Sequence, residues 1–268
     1  MGILNVTPDS FSDGGRFLDP DDALRQGLAL RAAGAAIIDV GGESTKPGAE
    51  SVGLQEELDR VIPVLERLRG ACDAILSIDT LKPQVMREAV AAGAGLVNDV
   101  MGLRAPGALA AVAEGPAAVC LMHMQGEPRT MQQAPHYEDV VTQVSAFLAE
   151  RAQACRTAGI AAERICLDPG FGFGKTLDHN LALLAGLDSL AAGPYPVLVG
   201  LSRKSLLAQL LGRGVEERLA GSLALATAAV LAGARIVRTH DVAATVDAVR
   251  VAAAINQAAA AARRNAGD

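Results

Sequence analysis

Ala117-Ala118-Val119-Cys120-Leu121-Met122 is an unbroken apolar run that ends against His123. A strand with one wet face alternates polar and apolar residues. A run that is apolar at every position suits a strand covered on both faces, as in a parallel sheet walled by helices. Seven more short runs are continuous rather than alternating, apolar apart from Asn5, Asp39, Ser77, Asn98 and Arg238: Gly2–Val6, Ala36–Val40, Ala74–Ile78, Leu96–Asn98, Ile165–Leu167, Val197–Gly200 and Ile236–Arg238. A helical stretch follows each one. Eight strand-helix units predict an α/β fold, a (β/α)8 TIM barrel formed as a single domain over residues 1–268, with an open doubly wound sheet as the alternative.

The stretches between the runs carry helix signals. Pro20 to Gly34 has acidic residues in its first turn and Gly at its end, as helix termini favour. Leu54 to Leu68 places apolar residues at 54, 58, 61, 62, 65 and 68, close to a 3.6-residue period. Tyr137 to Ala158 and Val242 to Ala262 are longer examples. The run Leu219 to Ala234 is too short for a membrane span and contains Ser and Thr, so it reads as a buried or interfacial helix.

The chain has 268 residues, no Trp and only 3% aromatics, so the core must be built from Val, Ile, Leu and Ala. A net charge of −6 argues against nucleic-acid binding, which needs a basic surface. It leaves room for an anionic substrate held by a local cluster of cations. Cys72, Cys120, Cys155 and Cys166 have neither C-x-x-C nor zinc-ligand spacing, which suits reduced thiols in a cytoplasmic protein. The opening residues have no basic start and no long apolar stretch, so no signal peptide is expected.

In a barrel of this class the chemistry lies at the C-terminal ends of the strands. Each run leads into polar residues there: Asn5 after the first, Asp39 and Glu43 at the second, Asp79 at the third, Asn98 and Asp99 at the fourth, and His123 at the fifth. The sixth leads into Asp168 and the glycine-rich stretch to Lys175, the seventh into Ser202, Arg203 and Lys204, and the eighth into Arg238, His240 and Asp241. Single positions have plain readings. Asp99 and Asp241 suit helix caps, Asp39 and Glu43 could brace a loop, and His123 and His240 could be satisfied structural histidines. The convergence of Asn5, Asp79, Asn98, Asp168, Lys204, Arg238 and His240 on one rim calls for a ligand. Ser202, Arg203, Lys204, Arg238 and His240 suggest an anion site after strands seven and eight. Asp79, Asn98 and Asp168 offer acceptors to a flat, donor-rich heterocycle.

Two motifs fail on inspection. Gly170, Gly172 and Gly174 do not follow the dinucleotide spacing, and the glycine that a P-loop requires before Gly174-Lys175-Thr176 falls on Pro169. These glycines are expected to form a flexible loop over the site.

Met1 to Gly15, Ile38 to Gly48, Leu167 to Lys175, Gly200 to Ser205 and Arg238 to Val242 together resemble the signatures of bacterial dihydropteroate synthases, in order and across essentially the whole chain. The resemblance implies joining of 6-hydroxymethyl-7,8-dihydropterin diphosphate to p-aminobenzoate, with release of diphosphate and use of Mg2+. It implies that Asn5 holds the Mg2+-diphosphate and that Asp79, Asn98 and Asp168 bind the ring edge. It places Lys204 at the ring's carbonyl and N5 side, Met122 against the ring, and Arg238 and His240 on the diphosphate with Thr45 nearby. Phe11, Thr45, Pro47, Phe173, Ser202 and Lys204 are implied for the p-aminobenzoate site. Asp79, Asp168 and Lys204 are the implied catalytic residues, and a homodimer through the late helices is implied as well. Met122 equally suits plain barrel core.

Three departures from the family pattern stand out. The chain begins at strand one without the usual β-rich segment, Lys46 stands where Arg is usual, and Leu81 replaces an often polar residue. Lys46 is expected to grip phosphate with less geometric specificity than Arg. The rival readings are a pterin-binding methyltetrahydrofolate methyltransferase domain, which needs no anion site, and a barrel that binds pterin without turnover. A Schiff-base role for Lys204 finds no carbonyl substrate to support it.

Overall fold

The computed structural model describes residues 1–7, 20–44, 51–127 and 130–265. Phe11, Thr45, Lys46 and Pro47 lie outside the described residues. Eight parallel strands alternate with helices. They are β1 (Gly2–Asn5), β2 (Ile37–Gly41), β3 (Ile75–Asp79), β4 (Leu96–Asp99), β5 (Ala118–Met122), β6 (Ile165–Asp168), β7 (Leu198–Gly200) and β8 (Ile236–Arg238). Strands β1 to β6 pair in sequence order, and β7 pairs with β8. Two bridges close the circle: Leu167 to Val197 joins β6 to β7, and Gly2 to Thr239 joins β8 to β1. The Ile3 amide donates to the Thr239 carbonyl at 3.1 Å and the Thr239 amide to the Met1 carbonyl at 3.0 Å. This is a closed (β/α)8 barrel, as expected, rather than an open sheet.

The walls follow from residue type. Outward residues such as Leu4, Ile38, Val40, Ile78, Val97, Val119 and Leu121 are sealed in one large apolar cluster beneath the helices. Inside, Leu96, Cys120, Cys166 and Leu198 pack with Ile37 and Ile236 to plug the barrel. With no Trp available, small and branched side chains fill that interior, in keeping with a barrel that is a core rather than a pore.

Helix α1 (Pro20–Ala32) and helix α2 (Leu54–Ala71) flank β2. The face that α2 buries is Glu57, Val61, Val64, Leu65 and Leu68, so Leu54, read as part of the apolar stripe, instead stays 44% exposed. Helices α3 (Pro83–Ala92) and α4 (Ala108–Ala113) follow β3 and β4. Helix α5 (Val140–Thr157) starts after Tyr137 because Asp139 caps it, accepting from the Val141 and Thr142 amides at 3.0 and 3.2 Å. Helices α6 (Leu177–Ala185), α7 (Leu187–Ala191), α8 (Ser205–Leu211), α9 (Leu219–Leu231) and α10 (Val242–Asn265) complete the ring. No helix among the described residues is long and apolar enough to cross a membrane.

Candidate active site

Strand register builds the mouth of the barrel. Asn5 pairs with Gly41, Gly41 with Asp79 and Asp79 with Asn98, so these residues form one row across four strands. Gly41 leaves a gap in that row. A β-carbon there would lie 3.6 Å from both the Asn5 Oδ1 and the Asp79 β-carbon, so a longer side chain would stand between them. No described residue bonds the Asn5 side chain. Across the barrel, Asp168 ends β6 and Arg238 ends β8.

Arg238 lies among carboxylates. Its Nε donates to Asp39 Oδ2 at 2.6 Å and its Nη2 to Asp79 Oδ2 at 2.7 Å. Asn98 Nδ2 donates to the same Asp39 oxygen at 3.1 Å. Asp39 Oδ1 and Asp79 Oδ1 are buried with no hydrogen-bond partner among the described residues. Burial pushes the Asp79 carboxyl well above the usual range, Arg238 opposing and Asp39 adding to the rise. Burial raises Asp168 too, against its bond from the Gly170 amide at 2.7 Å and the charge of Lys204. Unsatisfied buried acceptors are costly, and Asp79 Oδ1, on the row at the mouth, is one that a ligand's N–H group would satisfy.

Lys204 reaches in from the end of β7. Its Nζ stands 4.1 Å from the centroid of the Phe173 ring, a cation–π contact. Burial lowers its pKa to about 8, with Asp168 pulling the other way and Arg238 adding to the fall. Ser202 Oγ lies 3.0 Å from His240 Nδ1 and accepts from the His240 amide at 3.2 Å. His240 is exposed at the mouth, and packing followed by the charges of Arg238 and Arg203 holds its imidazole below its ordinary value. Met122 packs with Val100, Met124 and Met131 in a small apolar shelf that Phe173 borders.

Several sequence readings are revised. Arg203 is not a free anion donor: its guanidinium bonds Asp241 at 3.0 and 2.7 Å, tying the β7 and β8 loops together, and its backbone sits at φ 57°. Asp241 therefore holds Arg203 rather than capping α10. Asp99 closes its own turn, accepting from the Met101 and Leu103 amides at 2.8 Å each. His123, by contrast, keeps its plain reading as a structural histidine, its Nδ1 3.0 Å from Lys175 Nζ, and burial followed by Lys175 takes it down to about 3.

The glycine-rich stretch after β6 is pinned rather than loose. Buried Lys175 also donates to the carbonyls of Gly170 at 2.9 Å and Phe173 at 3.0 Å, and Tyr137 donates to the Gly174 carbonyl at 2.9 Å. A β-carbon at Gly170 would meet the His123 carbonyl at 1.9 Å, and one at Gly174 the Gln125 carbonyl at 2.6 Å. The glycines thus serve a close backbone approach at φ 69° and 60°, which sets Phe173 beneath Lys204.

A second network was missed in the sequence. Fully buried Glu57 accepts from Thr80 Oγ1 at 2.6 Å and pairs with Lys82, which also pairs with Glu43. It clamps the loops after β2 and β3, and Glu43 braces a loop as expected. The signal was a carboxylate at position 57, one turn before Val61 on the apolar stripe of α2.

The family model for pterin binding enzymes matches residues 1–240. The dihydropteroate synthase of Escherichia coli (strain K12) is 54% identical over 251 residues, 94% of this chain and 89% of that protein. The chain belongs to the dihydropteroate synthase family. A crystal structure of the Yersinia pestis dihydropteroate synthase with a sulfonamide drug complex superposes with a TM-score of 0.92 at 50% identity, covering 96% of this chain and 93% of that one. The Burkholderia cenocepacia dihydropteroate synthase complexed with 7,8-dihydropteroate superposes at 0.87 and 55% identity, covering 98% and 92%. As a dihydropteroate synthase, the chain is a transferase of folate biosynthesis, and the methyltransferase reading falls away.

Proposed function

We propose that the mouth binds 6-hydroxymethyl-7,8-dihydropterin diphosphate through Asp79, Asn98, Asp168 and Lys204 at the ring and through Arg238, Ser202 and His240 at the diphosphate. One observation carries this reading: the orphaned buried Oδ1 of Asp79 stands beside the Arg238 guanidinium in the barrel mouth. A flat ring with amine and amide N–H groups supplies the donor that oxygen lacks. An attached diphosphate supplies the anion that the cations require.

Reaction then needs no nucleophile from the protein. The C–O bond to diphosphate breaks and the leaving group takes the electron pair. The residual methylene cation is conjugated with the ring, where the charges of Asp79 and Asp168 stabilise it. The neutral aniline nitrogen of p-aminobenzoate forms the new C–N bond and loses a proton to solvent. Lys204, held over Phe173, donates to the ring carbonyl and keeps the ring in register. Phe173 and Ser202, with Phe11, Thr45 and Pro47 as the family resemblance implies, would line the p-aminobenzoate side, and Met122 would pack on the ring.

Asn5 fits a Mg2+ held mainly by substrate: its amide oxygen is hard and unpartnered among the described residues, and such ions commonly take one protein ligand plus phosphate oxygens and water. When bound, the ion would neutralise charge on the leaving diphosphate.

The chain is read as one barrel domain working in the cytoplasm. A homodimer is supported by the late helices, where Leu219, Leu231, Val251 and Ile255 are 42%, 43%, 61% and 50% exposed, apolar side chains that an interface between copies would cover. Sedimentation of wild type as a dimer and of Val251→Asp/Ile255→Asp as a monomer would agree; a monomeric wild type would end that part of the reading. The function itself is tested by a coupled assay for diphosphate release. Release that depends on added p-aminobenzoate supports the reading, and release without it, or none, overturns it.

A further inference from the structure

Asp39 is fully buried on β2, opposite Ile3 and Ser77 and one layer below the row of Asn5, Gly41, Asp79 and Asn98. The reaction described above assigns it no task. A carboxylate taken wholly out of water is unfavourable unless it is paired and hydrogen-bonded. One cation would suffice for a purely structural charge. Asp39 instead places a single oxygen, Oδ2, between two different partners: the neutral amide of Asn98 at 3.1 Å and the guanidinium of Arg238 at 2.6 Å. Its other oxygen has no partner among the described residues.

This arrangement decides what each partner can offer. An amide has a donor end and an acceptor end. With Nδ2 committed to Asp39, the Asn98 oxygen is the end left for a ligand, and no described residue donates to it. Arg238 gives Nε to Asp39 and Nη2 to Asp79, and no described residue accepts from Nη1. The ring acceptor and the anion donor are thus oriented by one atom, although they sit on β4 and β8.

We propose that Asp39 is a positioning residue that couples the two ends of the site, so that bound pterin and bound diphosphate each strengthen the other through the shared Oδ2. The proposal rests on the ring-and-diphosphate reading of the mouth. The physical basis is ordering: the first ligand fixes the Asn98–Asp39–Arg238 chain, and the second then meets partners already in place. Such coupling is reciprocal by thermodynamic necessity.

The test is calorimetric titration of inorganic diphosphate and of 6-hydroxymethylpterin, each alone and each with the other saturating, at constant Mg2+. In wild type, each is expected to tighten the other by roughly fivefold or more, the lower end of ordinary coupling between sites. In Asp39→Asn, which keeps the shape, both affinities are expected to fall by roughly tenfold, and the coupling to drop below about twofold. A merely structural Asp39 would lower the melting temperature and leave the coupling intact, which overturns the proposal. Wild type that binds neither ligand overturns the functional reading, and the proposal with it. Wild type that binds both while Asp39→Asn matches it overturns the proposal alone. Should Asp39→Asn fail to fold, Asn98→Ala, Arg238→Ala and their combination decide the matter. The two residues make no direct hydrogen bond to one another, so effects that depart from additivity by roughly fivefold or more support the link, and additive effects overturn it.

Discussion

Replacing Lys204 with Met separates stability from function at this site. Met keeps the length and apolar stem of the side chain and deletes the ammonium that stands 4.1 Å over Phe173. Burial brings the Lys204 pKa from 10.5 to about 8. At 1.36 kcal/mol per pH unit that is a cost of about 3 kcal/mol for holding the charge at neutral pH. That figure is already net of the attraction to Asp168; losing the cation–π contact, worth about 1–2 kcal/mol in a dry site, leaves the variant about 1–2 kcal/mol more stable than wild type. At roughly 2–4 °C per kcal/mol for a chain of this size, its melting temperature should rise by a few degrees. Catalysis should move the other way. Removing a charged donor from a dry site costs about 2–4 kcal/mol of transition-state stabilisation, which is roughly a 30- to 1,000-fold fall in kcat/KM. The pH dependence carries a sign. Lys204 is charged below about 8, so wild-type kcat/KM should decline as pH rises through that value, and the Met variant should lack this limb. Between about 8 and 10.5 the unfolded chain binds the proton that the folded chain has lost, so this group makes wild type more stable as pH rises there. Calorimetric melts and the coupled diphosphate assay read both quantities. Unchanged kcat/KM, or a variant destabilised by more than about 2 kcal/mol, would refute the reasoning.

Asp168→Ala should fold, because Asp168 is a buried acceptor raised by its own desolvation, yet lose roughly 30-fold or more in turnover; near wild-type rates in the diphosphate assay would count against its place at the ring. Lys175→Met relieves an amine that burial holds at about 7 but leaves the buried acceptors at His123, Gly170 and Phe173 unpaired, at about 1–3 kcal/mol each, so stability should fall while the KM for p-aminobenzoate rises through displaced Phe173. An unchanged KM would show that Phe173 is held by other contacts. Sulfonamides should raise the apparent KM for p-aminobenzoate in steady-state titrations without lowering the limiting rate; a fall in limiting rate alone would place them elsewhere on the protein.

The fold was legible because its signals are local. A strand buried on both faces is apolar at most positions rather than alternating, and eight such runs separated by helical stretches leave little besides a barrel. The strand-end positions of Asp79, Asn98, Asp168, Lys204 and Arg238 were legible for the same reason, since the chain order of a barrel places them on one rim. Side-chain partnership was not. Arg203 and Lys204 are adjacent and equally basic in sequence, yet a left-handed backbone at Arg203 sends its guanidinium to Asp241 while Lys204 enters the mouth. Asp79 ends one apolar run and Asp39 sits inside another, and only the closure of β8 onto β1 brings Arg238 between them. Glu57 looks like a solvated helix residue until α2 turns it inward to Lys82 and Thr80. The division has one physical cause. Periodicity and turn chemistry act over a few residues and can be read along the chain, whereas the sharing of one buried carboxylate between β4 and β8 depends on distances that exist only once the barrel has closed.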